Sequence, residues 1–250
     1  VRLFKQLGLQ RSGTNAFRAI VEENLPDCLF LANILGDKHV PQSWDKMAAW
    51  LAQNPTAEGL TPELYAQMAE EVRTHRLCVV VSIKDPVSWL WSYFRFAKKK
   101  AEYRNPDQEF VFTPNFAEQC LTSWSERMTQ YLQFALENKE RTMVVQHEEL
   151  LKSPGAVLDR FCATFALTPP DDPELFQQAY ARRGTENQHG KDLVNPKVKF
   201  DSSYHLEGRW AADMPPEHYD RGMQFSRVYF EKHPEFVPFF LPETLTDRRV

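Results

Sequence analysis

The chain of 250 residues is 26% charged and 42% hydrophobic, the balance of a globular protein able to bury a substantial core. Its net charge of −4 gives no general attraction for nucleic acid, and no apolar run reaches the length of a membrane span. Four cysteines, Cys28, Cys78, Cys120 and Cys162, stand far apart in apolar surroundings. They read as buried free thiols in a reducing, cytoplasmic setting and show no zinc-ligand spacing. The opening VRLFKQLGL lacks the apolar core of a signal peptide; a targeting segment trimmed ahead of Val1 stays open.

Leu3 to Leu9 reads as a buried strand, and Phe17, Ile20, Val21 and Leu25 recur at helical spacing, predicting a helix from Thr14 to Asn24. CLFLANIL, beginning at Cys28, reads as a second strand that ends in the loop GDKHVPQSW. Leu60 to Thr74 reads as a helix, with Thr61 and Pro62 at its start. LCVVVSI, Leu77 to Ile83, is continuous and β-branched, as buried parallel strands are. Asp85 and Pro86 then supply the N-cap and first residue of a helix whose stripe is Val87, Leu90, Trp91 and Phe94.

KKKAEYRNPDQEFVFTP, from Lys98, reads as a surface loop. Leu121, Trp124, Met128, Tyr131, Leu132 and Ala135 mark a long amphipathic helix. TMVVQ is a further strand, followed by HEELLKSP and a helix turning Val157, Leu158, Phe161, Cys162 and Phe165 inward. Phe176 to Arg183 reads as a helix, Glu186 to Met214 as a lid or long loop, and Glu217 to Lys232 as a closing helix. This alternation predicts a three-layer α/β/α domain over residues 1–250, with a central, mostly parallel sheet and right-handed crossovers. Ligands of such sheets bind beyond the carboxyl ends of the strands. Three polar clusters fall there: Arg11 to Asn15, Lys84 to Ser92, and His147 to Glu149.

The first cluster follows Gly8-x4-Gly13. A strand entering a helix through such a turn aims several backbone N–H groups at one point, and the helix dipole adds positive charge. Ser12, Thr14 and Asn15 add donors, and Arg11 adds a planar cationic fork. An oxyanion is the natural guest, although the spacing alone equally suits a structural turn. A nucleoside-triphosphate loop would follow its second glycine with Lys and then Ser or Thr; here Thr14 and Asn15 follow. No carboxylate ends a strand as a magnesium partner would. A metal-free anion site fits these residues better. An ATP- or GTP-dependent small-molecule kinase with an atypical loop, or an idle nucleotide-binding module with a protein partner, stays as an alternative.

QRSGTN resembles the 5′-phosphosulfate loop of sulfotransferases, IKDPVSWLWSYF their 3′-phosphate segment, and VVQHEELLKSPGAVLDRFCATFAL the segment downstream. The three occur in the family's order between Leu3 and Leu167. The resemblance implies a P-loop-like fold, 3′-phosphoadenosine-5′-phosphosulfate (PAPS) as donor without a metal, and 3′-phosphoadenosine 5′-phosphate (PAP) as product. It also implies in-line transfer of the sulfuryl group to a hydroxyl or amine of a small-molecule or carbohydrate acceptor. Arg11, Ser12, Gly13, Thr14 and Asn15 become the 5′-phosphosulfate cradle, with Asn15 where Thr is usual. Lys84 and Ser92 fall on the pair that holds the 3′-phosphate, Lys84 keeping the charge of the usual Arg but not its fork. His147 stands where a Tyr near the adenine is usual. RRG, Arg182, Arg183 and Gly184, resembles an element that reaches the 3′-phosphate, and equally a basic helix end.

Transfer needs a base for the acceptor's proton and cations for the departing phosphate. His39 in GDKHVP titrates near neutrality and resembles the base-bearing segments of some family members. It is the expected general base, with Lys38 and Arg11 stabilising the leaving phosphate. An ordinary surface Lys-His pair is the plainer reading of the same residues. Glu22 and Glu23 are weaker bases, and Glu148 with Glu149 reads as a helix-start carboxylate pair. The segments Pro41 to Gly59, Phe96 to Pro114 and Glu186 to Met214 are the expected walls of an acceptor cleft. Trp44, Trp50, Tyr103, Phe110, Tyr204 and Trp210 are available there to stack on a ring, or simply to pack. Lys98 to Lys100 would attract an anionic acceptor, or be solvated.

Overall fold

Strands β1 (Arg2–Gly8), β2 (Cys28–Phe30), β3 (Cys78–Ile83) and β4 (Thr142–Gln146) form one sheet in the order β2-β1-β3-β4, every pairing parallel. The computed structural model describes residues 1–107, 109–173, 175 and 202–248. β1 and β3 are central and covered on both faces; β3 accordingly runs nearly continuously apolar, while β1 buries Lys5 and Gln6 among its apolar residues.

Side chains alternate between two cores across the sheet. Phe4, Val80 and Val145 point to the face covered by α1 (Thr14–Asn24) and α7 (Pro154–Thr164), where Phe4 and Phe161 lie 4.9 Å apart. Leu3, Leu7, Val79 and Val81 point to the opposite face. That face is covered by α2 (Trp44–Gln53), α3 (Pro62–Arg73), α4 (Pro86–Arg104), α5 (Pro114–Glu137) and the helix Pro216–Lys232. The expected three-layer α/β/α architecture is therefore present.

The predicted elements differ from the observed ones at four points. The second strand stops at Phe30, because the buried ammonium of Lys5 collects the carbonyls of Leu31, Ala32, Ile34 and Gly36 at 2.5–3.3 Å and draws the chain into a turn. Residues 44–53, to which the sequence assigns no element beyond the loop ending at Trp44, form α2, with Ser43 accepting from the Lys46 amide at its N-cap. α4 runs on to Arg104, through residues read as loop; Lys and Ala favour the helix, and Lys98 pairs with Glu102 at 3.8 Å. Within the segment read as a lid, Ser203–Leu206 and Trp210–Asp213 are short helices and Trp210 is buried. The expected helix over 176–183 and the lid over 186–201 lie outside the described residues.

From β1 the chain crosses by α1 to β2 on one side, and β3 then pairs with β1 on the other. The carboxyl ends of β1 and β3 thus flank the point where the strand order reverses, the standard ligand crevice of open α/β sheets. All four cysteines are buried and free. No helix among the described residues is long and apolar enough to cross a membrane.

Candidate anion-binding site

Beyond β1 the backbone enters the left-handed region twice, at Arg11 (φ 70°) and Gly13 (φ 84°), and so turns back into α1. No side chain caps α1, which leaves the amides of its first turn for another acceptor. A β-carbon on Gly8 would collide with the Ser82 carbonyl, so only glycine lets β1 end this close to β3. The loop is braced from three sides: Ser12 Oγ donates to the Leu9 carbonyl at 2.7 Å, Gln6 Nε2 to the Thr14 carbonyl at 2.6 Å, and Trp89 Nε1 to the Gln10 carbonyl at 2.8 Å. Arg11 is exposed, with its guanidinium 5.7 Å from the Phe96 ring centroid.

The turn after β2 returns to this loop. Its Lys38 carbonyl accepts from the Gly8 amide at 3.0 Å, and Lys38 Nζ donates to Asn15 Oδ1 at 2.5 Å. His39 Nδ1 lies 2.8 Å from the Gly8 carbonyl. A carbonyl can only accept, so Nδ1 carries the proton and Nε2 carries the lone pair. Arg127 of α5 donates to the His39 carbonyl at 3.1 Å, and Asp37 accepts from its amide at 2.8 Å. Burial, then the Lys38 charge, hold the imidazole below its usual pKa against the opposing Gly8 hydrogen bond, so it is neutral at pH 7. Lys38 is likewise lowered by burial and by the Arg18 charge.

Lys84 follows β3 and is 1% exposed. Burial lowers its ammonium to about 8, opposed by the Glu148 and Asp85 charges. Among the described residues that ammonium makes no hydrogen bond. Asp85 caps α4, accepting from the Val87 and Ser88 amides at 3.0 and 2.9 Å, and Ser88 Oγ bonds Asp85 Oδ2 and Glu148 Oε1, the latter at 3.2 Å. Ser92, half-buried, is one turn beyond Ser88 on the same face of α4. His147 opens α6 (His147–Lys152) after β4, and its Nδ1 sits 2.7 Å from where a Gly13 β-carbon would lie. Burial and then the Lys84 charge keep its imidazole well below the usual range, hence neutral.

Arg11 to Asn15, Lys38, His39, Lys84, Ser92 and His147 thus gather at one end of the sheet. Arg182, Arg183 and Gly184 lie outside the described residues. Glu148 and Glu149, read as a pair, part company: Glu148 is buried beside Lys84, while Glu149 meets Arg160 at 2.5 Å on the surface. Glu22 is engaged by Arg18 and by the Phe30 amide. Among the aromatics expected at an acceptor wall, Trp44 stacks on His75 at 4.7 Å and Phe110 packs on Phe94 and Phe116. Trp89, which braces the loop, was not singled out from sequence; its position just beyond β3 was the available signal. Among the described residues no group of three or more His, Cys, Asp or Glu could hold a metal ion.

A parallel sheet whose reversal point carries a glycine loop, an uncapped helix start and a buried lysine is an α/β arrangement whose donors suit an anionic ester. The sulfotransferase domain model matches residues 7–172, two-thirds of the chain, and the chain belongs to the sulfotransferase family. Membership makes it a transferase of sulfuryl groups. A sulfotransferase from Alicyclobacillus acidocaldarius is similar in fold, with a TM-score of 0.51 at 11% identity, over 98% of this chain and 99% of the other. No curated protein matches the chain.

Proposed function

We propose that the chain takes the sulfuryl group of PAPS and passes it to a hydroxyl or amine of a small-molecule or carbohydrate acceptor. The observation that carries this reading is the pair of contacts from Lys38 and His39 to Asn15 and Gly8, which sets a cation and a neutral imidazole beside the glycine loop. A phosphate ester fits the residues: the loop offers uncapped amides, and Lys84 is a buried cation with no hydrogen bond among the described residues. PAPS, when bound, supplies an activated sulfuryl group and a phosphate able to leave with its electrons.

In this reading Arg11, Ser12, Gly13, Thr14 and Asn15 hold the 5′ end and Lys84 with Ser92 the 3′-phosphate. His147 stands beneath the loop, with Arg182, Arg183 and Gly184 as further donor contacts. His39 Nε2 accepts the proton that the acceptor loses as its oxygen or nitrogen bonds to sulfur. Lys38 and Arg11 offset the negative charge left on the phosphate oxygen. The proton on Nδ1, held by Gly8, keeps the ring in the tautomer this task needs.

Calorimetric titration with PAP, and separately with ATP and magnesium, tests the reading. PAP is expected to bind and ATP to bind far more weakly. Binding of ATP alone, or of neither, would overturn it. A screen of hydroxyl and amine acceptors with PAPS then seeks the sulfated product; binding with no product from any acceptor would point to an idle module instead.

A further inference from the structure

Behind the lysine assigned to the 3′-phosphate lies a buried carboxylate that the transfer step does not use. Glu148 is 3% exposed, and Ser88 Oγ approaches its Oε1 at 3.2 Å, while its Oε2 is buried and, among the described residues, has no hydrogen-bond partner. The same Ser88 hydroxyl contacts Asp85 Oδ2, so one serine bridges two carboxyl groups. A single hydroxyl proton cannot serve both. The arrangement is satisfied when one carboxyl group carries a proton of its own; Asp85 already accepts from two helix amides, which leaves Glu148 as the group placed to carry it.

We infer that Glu148 is a positioning residue that couples binding of the nucleotide's phosphate at Lys84 to uptake of one proton from solvent. The inference rests on the donor reading above. As the phosphate arrives, its negative charge faces a lysine already flanked by Asp85 and Glu148. Two carboxylates and a phosphate dianion around one ammonium are over-compensated in a dry site. The Glu148 carboxylate removes one of these charges by accepting a proton from buffer, becoming a neutral acid that donates from Oε1 to the Ser88 hydroxyl while that hydroxyl donates to Asp85. Lys84 is then left to the phosphate.

The charged groups that act on this cluster come from every element around it: Lys84 after β3, Asp85 at the start of α4, and Arg248 near the C-terminus act on Glu148. Arg11 of the loop acts on Lys84, and neutral His147, with His205 beyond it, completes the surroundings. Burial, and next the Asp85 charge, raise the Glu148 carboxyl to about 7, with Lys84 opposing. The proton is therefore exchangeable near neutral pH before any ligand arrives.

PAP binding is measured by calorimetry at pH 7.0 in two buffers of different ionisation enthalpy, which yields the protons taken up per nucleotide. The wild-type protein is expected to show net proton uptake of less than one proton per nucleotide, since Glu148 exchanges its proton near neutral pH. Glu148→Gln, which keeps the shape and cannot titrate, is expected to take up close to none. Ser88→Ala removes the hydroxyl that receives the Glu148 proton and is expected to move the pH of greatest uptake downward. Ser88→Ala also decides the matter should the Gln variant not fold. Binding without proton uptake, or uptake unchanged in Glu148→Gln, overturns this inference and leaves the donor reading intact. Absence of PAP binding overturns both.

Discussion

Asn15 Oδ1 accepts a hydrogen bond from Lys38 Nζ at 2.5 Å, joining the first turn of α1 to the turn that carries His39. The residue that departs from the family's usual Thr thus acts as a brace between two loops. Asn15→Ala is expected to release Lys38 and lower turnover about tenfold, the loss of one charge-assisted hydrogen bond of about 1.5 kcal/mol. PAP affinity should fall much less, since the loop amides remain. Comparing turnover with calorimetric affinity checks this; equal losses would make donor binding, rather than the placing of Lys38, the main task of Asn15.

Gly13 combines a left-handed backbone with a neighbour that leaves no room for a β-carbon. Gly13→Ala is expected to cost at least about 1–2 kcal/mol for the conformation alone, and more for the contact with His147. Urea unfolding of Gly13→Ala, His147→Ala and the double variant separates the two. The double variant is expected to be less destabilised than the sum of the single ones by about 0.5–3 kcal/mol, because removing the imidazole relieves the clash but not the backbone.

As the base, His39 functions only when unprotonated. Its pKa lies below the usual 6.5, so the acid limb of kcat/KM should fall below pH 6.5, with activity lost as pH drops through the folded value. His39→Ala should keep PAP affinity and lower turnover by about 10²–10⁴-fold, the usual share of a general base. Unchanged turnover, measured with a screened acceptor or as slow sulfate release to water, removes His39 from the mechanism.

Lys84→Ala should weaken PAP binding by roughly 10- to 150-fold, the value of a charge-assisted hydrogen bond to an ion, and Ser92→Ala by only a few-fold. Titration of both against PAP checks the order. If Ser92→Ala proves the more damaging, the 3′-phosphate is held from α4 rather than from the end of β3.

Lys5 shows how a buried cation serves structure. Its ammonium holds four carbonyls, and Lys5→Met would leave them without that donor, at about 1–3 kcal/mol per desolvated group. The pH dependence has a definite sign. Burial lowers the folded pKa to about 7 against 10.5 for the free side chain. Between those values the unfolded chain holds more protons, so Lys5's contribution to stability rises with pH across that window. Chemical denaturation of wild type and Lys5→Met at pH 7 and pH 9.5 should show the difference growing in favour of wild type.

Local patterns were enough to mark β1, α1, β3 with the Asp85-Pro86 helix start, α5 and β4. Their apolar periods, caps and turn residues act within a few positions of each other. Lys38, His39, Lys84 and the glycine loop were recognisable for the same reason: each sits at a strand end that a parallel sheet turns toward one side. By contrast, the contacts that decide their roles span the chain. Asn15 meets Lys38 across 23 positions, Gly8 meets His39 across 31, and Ser88 meets Glu148 across 60.

The sequence by itself therefore determined the layered α/β plan and marked one sheet end as the candidate anion site. Only the tertiary structure decided that β2 stops at Phe30 under the pull of Lys5, that Asn15 braces Lys38, and that Glu148 is buried while Glu149 is not. The physical reason is the same in each case. Propensity and period act through neighbours along the chain, whereas burial of a charge and the partner it finds depend on which distant strand end the fold brings beside it.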